Sequence, residues 1–123
     1  MKKFLSLIVI LLCIVLVGCN KTSMTIEEIT GIDFNEIDHI KTGFTSSINE
    51  NYDVEEFTNN YKNLKYQKIS GGYGNTAHKY FVCYDSNNEV LFTIVDIGNQ
   101  GKYFIKKGEF DINKDSSNLY QLK

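Results

Sequence analysis

The chain of 123 residues contains no arginine, no proline and no tryptophan, and it has only three cysteines and two histidines. Its fifteen acidic residues outnumber its thirteen lysines. Nucleic-acid binding rewards clustered basic residues, so this composition argues against a nucleic-acid partner. The two histidines lie far apart in the sequence and lack metal-ligand spacing, so we expect no metal site and no bound cofactor.

The most hydrophobic segment lies at the amino terminus. Lys2 and Lys3 precede an apolar run, 4–17, that contains a single serine, and the small Gly18 then precedes Cys19. This order is typical of a secretory signal peptide. The run is shorter than the roughly 20 apolar residues that a spanning helix needs, so we prefer cleavage to an uncleaved anchor.

The four residues Leu16-Val17-Gly18-Cys19 resemble the lipobox of bacterial lipoproteins. The resemblance implies that the Cys19 thiol carries a diacylglyceryl group and that the signal peptide is cut between Gly18 and Cys19. Isoleucine, asparagine and lysine supply a third of the chain, a bias that indicates a low-GC bacterial genome. The lipobox, the opening TIEEITGIDFNEIDHI and the later segments NLKYQKIS, KYFVCYD and GKYFI together resemble small lipoproteins of low-GC Gram-positive bacteria. We therefore expect a lipid-anchored protein on the extracytoplasmic face of the cell membrane. The alternative is an ordinary signal peptide that ends in a chance cysteine.

The chain thus divides into a signal peptide (1–18), a lipidated cysteine with its tether (19–23) and a single extracytoplasmic domain (24–123). The mature part has eleven lysines against fifteen acidic residues, a net charge of −4. Cys13 leaves with the signal peptide and Cys19 is acylated, so Cys83 stands alone and no internal disulfide is expected. We expect a monomer that is held together by its hydrophobic core.

Two helices are predicted in this domain. Thr25 and Glu28 have the spacing of a capping box, with Gly31 as the stop of a short helix. Asp53 and Glu56 have the same spacing at the start of a longer helix over 53–65. The apolar stripe of that helix consists of Val54, Phe57, Tyr61 and Leu64.

Alternation of apolar and polar residues predicts the strands. The first strand begins near Ile37 and reaches Phe44. Four more strands are predicted at 66–70, 79–85, 90–97 and 102–106. Short turn-rich connections, including the glycine-rich segment 71–74, favour pairing in sequence order as an antiparallel meander. The expected fold is therefore α+β, with a sheet of about four to five strands and one main helix packed on one face. The polar tail is expected to end in a short helix through Leu119, Tyr120 and Leu122.

A turn at Asn87-Asn88 sets the register of the central hairpin, with Cys83 opposite Phe92 and Tyr84 opposite Leu91. One face of the hairpin is then apolar, and closes with a Lys79–Asp96 pair. Its members are Phe81, Cys83, Val90, Phe92 and Ile94. The other face is mixed and aromatic, and its candidate ligand residues are His78, Tyr80, Tyr84 and Thr93. We prefer the alternative that the N-terminal turn or the C-terminal tail covers this second face, because large exposed apolar patches are uncommon on monomers.

No catalytic constellation emerges from the remaining motifs. Cys83 paired with His39 or His78 would be a thiolate nucleophile with its base, but the register places Cys83 in the core, where a thiol is inert. The segment 111–122 matches a calcium loop at its first, third and fifth positions and fails at the sixth and twelfth, which are Ser116 and Leu122. We therefore expect a non-enzymatic binding or interaction module for an extracytoplasmic protein or small molecule, including an inhibitor or immunity role. A small cell-surface enzyme that uses Cys83 is the alternative.

Overall fold

The structure is a computed structural model of the chain, and it describes residues 23–45, 47–71, 78–98 and 101–123. The predicted signal peptide, Gly18, Cys19 and most of the tether lie outside these residues, as do 72–74 of the glycine-rich segment. Within the described ranges, no helix is both long enough and apolar enough to cross a membrane.

The described helices are short: α1 is Ile26–Thr30, a 3₁₀ turn is Phe34–Glu36, α2 is Val54–Tyr61 and α3 is Ile112–Asp115. The capping box of α1 is confirmed. The Glu28 amide donates to the Thr25 hydroxyl at 3.2 Å, and the Thr25 amide donates to the Glu28 carboxylate at 3.0 Å. Gly31 ends this helix in the left-handed conformation, with φ of 72°.

The helix α2 differs from the prediction at both ends. Its N-cap Asp53 accepts from the amide of Glu55, and not from that of Glu56, so a capping box is not formed there. The helix ends at Tyr61, four residues before the predicted end. All four residues of its apolar stripe pack in one core, which confirms the predicted stripe.

The described residues contain seven strands: β1 His39–Phe44, β2 Glu50–Tyr52, β3 Tyr66–Lys68, β4 Lys79–Tyr84, β5 Val90–Asp96, β6 Lys102–Lys107 and β7 Leu119–Leu122. They form one open antiparallel sheet with the order β2-β1-β4-β5-β6-β7-β3. The α+β class and the antiparallel sheet are confirmed, but four to five strands was too few. The single main helix is not clearly shown, because α1 and α2 both contribute side chains to the same core. The strand β2 is too short to show alternation, and β7 occupies the residues that were predicted to be a terminal helix.

The meander prediction is wrong at β3. This strand does not pair with β4 across the glycine-rich segment; it pairs with β7 at the far edge of the sheet. The reason is the course of α2 over the sheet: Phe57 contacts Tyr52 of β2, whereas Tyr61 contacts Tyr103 of β6. The chain leaves α2 at the opposite edge, where Tyr66 also exchanges two backbone hydrogen bonds of 2.8 Å with Met24.

The hairpin register is confirmed from Lys79–Asp96 to Cys83–Phe92 and then breaks at a β-bulge, where Tyr84 pairs with Val90 instead of Leu91. Only Asn88 of the turn has a positive φ, of 63°. A single left-handed residue closes a three-residue loop with a bulge, and not the predicted two-residue turn. The bulge exchanges two side chains, so that Leu91 packs against the core in place of Val90.

The sheet separates two hydrophobic cores. The inner core lies between the sheet and the helices α1 and α2, and it contains Phe57, Phe81, Cys83, Phe92 and Ile94. The outer core lies on the opposite face, where the segment 108–118 and the β1–β2 connection supply partly buried apolar side chains. Its members are Tyr80, Val95, Ile97, Phe104 and Leu119, with Ile48, Ile69, Phe110 and Ile112 packed against them. The preferred expectation that the C-terminal tail covers the second face therefore agrees with the structure.

Candidate functional site

The four candidate ligand residues do not form one exposed surface. Tyr80 and Thr93 are buried, with 7% and 2% of their surface exposed, while His78 and Tyr84 are half-buried. The ring of Tyr80 packs edge-on against Phe110 at 6.1 Å. The Thr93 hydroxyl donates to the carbonyl of Gly108 at 2.9 Å. The C-terminal segment therefore occupies the middle of the face, and it leaves Tyr84 at the open end.

The open end of the outer face is organised around a stacked aromatic pair. His39 of β1 lies directly opposite Tyr84 of β4, and their rings are nearly parallel, with centroids 4.9 Å apart. His39 Nδ1 lies 2.8 Å from a carboxylate oxygen of Asp38, and its Nε2 lies 3.0 Å from the side-chain oxygen of Asn88. We call these four residues the hairpin-end surface. Tyr84, Asp38 and Asn88 thus hold the imidazole ring of His39 in place from three sides.

Sequence reasoning missed this arrangement. It treated His39 only as a base for Cys83, because the pairing of β1 with β4 joins residues about forty positions apart and no local signal reports it. The sequence does indicate two parts of the surface: Tyr84, which was a candidate ligand residue, and the left-handed Asn88, which is a turn residue by type.

Beside this surface lies a cleft of about 430 Å³ between the 3₁₀ segment and the β4–β5 turn. Its lining includes three carboxylates, those of Glu36, Asp38 and Asp85, together with the apolar side chains of Ile37 and Leu91. Asp85 is committed to the turn, since its carboxylate accepts from the amides two and four residues later. The cleft therefore adds negatively charged side chains beside the hairpin-end surface.

A larger groove of about 650 Å³ lies over Tyr80, between the β1–β2 connection and α3. Burial raises the pKa of Tyr80, a hydrogen bond with Thr45 opposes the rise, and the nearby Asp111 adds to it. Lys106 donates to Asp115 at 2.6 Å, and this hydrogen bond lowers the pKa of the Asp115 carboxyl. The charges around the groove are thus used in part to hold α3 against the sheet.

The residues considered for calcium and thiol chemistry serve structural roles here. Asp111 caps α3 through the amide of Asn113, and Asp115 is bound by Lys106. Among the described residues, no group of three or more histidine, cysteine, aspartate or glutamate side chains is placed to hold a metal ion. Cys83 has no exposed surface, and burial raises the pKa of its thiol.

The structure brings Cys83 together with neither histidine. Cys83 lies in the inner core, where its strand partner is Ile40. His39, one residue before Ile40, stacks on Tyr84 at the outer face. The ring of His78 packs near Phe104 of the outer core, with centroids 6.3 Å apart. The prediction that Cys83 is a core residue is confirmed.

The described domain is an α+β unit built on an open seven-stranded antiparallel sheet. Comparison of the chain with protein-family models, with curated proteins and with solved structures finds no match. Its function is therefore inferred from its own residues.

Proposed function

We propose that the protein is a lipid-anchored extracytoplasmic binding module, which is held in the cell membrane through Cys19 and acts without catalysis. The anchor is supported by the sequence order of two lysines, an apolar run and the lipobox residues 16–19. Two acyl chains give stable attachment where one gives only marginal binding. The described domain begins its strand pairing at Met24, so that a short tether joins it to the lipid.

The hairpin-end surface is the part of the domain that best suits a partner. Its two rings are already stacked, and His39 contacts Asp38 and Asn88 through both ring nitrogens. Side chains that are held in place before binding lose little further conformational freedom when a partner docks. Tyrosine contributes a large apolar area with a polar tip, as is common at interfaces. The proposed partner is an extracytoplasmic protein or peptide, and blocking that partner is the inhibitor or immunity form of this function.

The positions of Cys83 and the two histidines support the non-enzymatic form of the proposal. The enzyme alternative required Cys83 to share a face with a histidine, and the two histidines lie toward the outer face while Cys83 lies in the inner core. A thiol that is fully buried and has a raised pKa holds little thiolate for attack near neutral pH.

The anchor is tested by replacing the proposed attachment residue. In cells fed an alkyne-tagged fatty acid, Cys19→Ser should abolish labelling of the protein and move it out of the membrane fraction. Cys13→Ser is the matched control, because it removes a cysteine from the signal peptide and should leave labelling intact. Continued labelling of the Cys19→Ser protein would refute the anchor.

The binding surface is tested by cross-linking capture from intact cells. Tyr84→Ser removes the ring that stacks on His39, and we expect capture of extracytoplasmic partners to fall at least about tenfold, as for loss of an interface hot spot. Phe44→Ser is the matched control, because Phe44 is an exposed aromatic residue at the other end of β1. Equal capture by the two variants, with unchanged melting temperatures, would show that the hairpin-end surface is not the binding site.

A further inference from the structure

The backbone of β3, which forms one edge of the sheet, points alternately toward β7 and away from it. The Lys65 carbonyl accepts from the amide of Lys123 at 3.0 Å, and the Ile69 amide donates to the carbonyl of Leu119 at 3.0 Å. In an antiparallel ladder, the amide and carbonyl of every second residue face the same neighbour. Residues 65, 67 and 69 therefore face β7, and residues 66, 68 and 70 face away from it.

Only the first of these outward-facing residues has a backbone partner within the described part of the chain. Tyr66 exchanges two hydrogen bonds of 2.8 Å with Met24, which makes them a hydrogen-bonded pair of an antiparallel ladder. The outward amides and carbonyls of Lys68 and Ser70 meet no such partner among the described residues. Proteins usually cover an edge of this kind, because it can pair with any extended chain.

The chain before Met24 runs in the direction that is needed to cover this edge. Continuing the ladder from the Met24–Tyr66 pair places Thr22 opposite Lys68. The Thr22 amide would then donate to the Lys68 carbonyl, and the Lys68 amide would donate to the Thr22 carbonyl. Their side chains would share one face of the sheet, where Lys68 is exposed and leaves room for a neighbour.

The uncovered edge is also as long as the predicted tether. In the same register Asn20 lies opposite Ser70, and Cys19 lies opposite Gly71. Gly71 has a φ of 124°, which side chains rarely permit, so the extended edge ends there. The edge therefore accommodates the tether up to the proposed lipid attachment residue and no further.

We propose that residues 20–22 of the tether pair with β3 as an additional strand at the edge of the sheet. The Met24–Tyr66 pair already aligns this segment, and its attachment gives it a higher effective concentration than a separate chain has. The pairing itself does not depend on the lipid. Its consequence rests on the proposed lipid anchor: Cys19 is fixed beside Gly71, so that the domain is held with its β3 edge toward the bilayer.

The register is tested by disulfide formation in the full protein in its membrane. The double variant Thr22→Cys/Lys68→Cys should close a disulfide, because a hydrogen-bonded pair has Cα atoms about 5.5 Å apart, near the preferred separation. Lys21→Cys/Lys68→Cys is the matched control, because residue 21 would point to the opposite face. The buried Cys83 does not compete for the oxidant.

Under a mild oxidant, we expect the disulfide of Thr22→Cys/Lys68→Cys to form at least about tenfold faster than that of the control pair. Equal rates in the two double variants would overturn the proposal, because an unpaired tether brings residues 21 and 22 equally within reach of residue 68. Mass spectrometry of the intact protein distinguishes the closed ring from disulfides between two chains.

A second copy of the chain is another occupant that would fit the edge. The single variant Lys68→Cys would then form covalent dimers at a rate that rises with the density of the protein in the membrane. Such dimers, together with no ring closure in Thr22→Cys/Lys68→Cys, would overturn the tether as the occupant.

Amide hydrogen exchange measures the pairing without added thiols. Thr22→Pro removes the amide that would donate to the Lys68 carbonyl and puts the proline ring in its place. The Lys68 amide should then exchange at least about fivefold faster, as for loss of one typical hydrogen bond. Ser23→Pro is the matched control, because the Ser23 amide would face solvent, where an edge strand tolerates proline. Equal exchange of the Lys68 amide in the two variants would contradict the added strand.

The added strand and the lipid anchor fail in distinguishable ways. Fatty-acid labelling reports the lipid on Cys19, and the ratio of the two disulfide rates reports the strand. Labelled protein with equal rates would overturn the strand and leave the anchor standing. Unlabelled protein that keeps the difference in rate would overturn the anchor, and with it the orientation toward the bilayer, while the strand pairing would stand.

Discussion

Several polar side chains of the domain are held by partners within it. Lys106 binds Asp115, and Lys41 donates to the side-chain oxygen of Asn51 at 2.6 Å. The buried Thr42 hydroxyl donates to the carbonyl of Tyr80 at 2.8 Å. Buried polar groups that are paired in this way cost little and define one arrangement of neighbouring strands. Removing a buried polar group that lacks such a partner should therefore raise the free energy of unfolding.

Tyr66 is that group. Its ring has no exposed surface, and its hydroxyl has no hydrogen-bond partner among the described residues. Leaving a buried hydroxyl unsatisfied costs about 1–3 kcal/mol, so Tyr66→Phe should raise the free energy of unfolding by about 1 kcal/mol. Urea denaturation measures the change. Tyr66→Ala is the control, and it should lower the stability by about 3–5 kcal/mol through loss of the ring. A fall of more than about 1 kcal/mol for Tyr66→Phe would mean that the hydroxyl is satisfied.

At the scale of elements, the connections decide which strands become neighbours. The β1–β2 connection turns back over β1 so closely that a Cβ on Gly43 would lie 2.0 Å from the carbonyl oxygen of Ser47. This close approach places Ile48 against the outer core. The same turn returns the chain to pair as β2, a strand of three residues that forms one edge of the sheet.

Gly43→Ala should therefore destabilise the domain more than Gly31→Ala. Both glycines have a positive φ, of 156° and 72°, but a Cβ on Gly31 would meet no atom within 4 Å. The change at Gly31 should cost about 1–2 kcal/mol for the left-handed conformation alone, while the clash at Gly43 should add about 1–3 kcal/mol. Thermal or urea denaturation of the two variants gives the comparison. Equal losses of stability in the two variants would show that the β1–β2 connection moves aside for the added Cβ at little cost.

Local signals predicted the elements better than their arrangement. The Thr25–Glu28 capping box, the stripe of α2 and most of the β4–β5 register depend on residues near one another in the chain, and the structure confirms them. The pairing of β3 with β7 depends on where α2 delivers the chain, which no local pattern states. The hairpin-end surface failed to appear for the same reason, because His39 and Tyr84 meet only after β1 pairs with β4.

At the scale of the whole molecule, the sheet separates the point where the chain enters the domain from the proposed binding surface. Met24 pairs with Tyr66 at the β3 edge, and the hairpin-end surface lies on β1 and β4. Both faces between them are covered, the inner face by α1 and α2 and the middle of the outer face by the C-terminal segment. The sheet can therefore act as a rigid spacer. The stability of this spacer depends on buried aromatic and thiol groups.

That dependence predicts a loss of stability in alkali. Burial raises the pKa of Cys83 above its ordinary 9.0, and it raises the pKa values of Tyr61, Tyr66 and Tyr120 above 10.0. The folded state therefore keeps these protons at pH values where the unfolded state releases them. The stabilisation is complete below about pH 9 and is lost as the pH rises through the folded-state values.

Urea midpoints measured at about pH 7, 9 and 10.5 should be similar at the first two values and clearly lower at the third. Cys83→Ala is the informative control. It removes the group with the lowest ordinary pKa, so the remaining fall should begin nearer pH 10, where the tyrosines alone contribute. The absorbance of tyrosinate should rise together with unfolding, because the buried hydroxyls ionise only when they reach water. A midpoint that stayed constant to about pH 10.5 would contradict the burial of these groups.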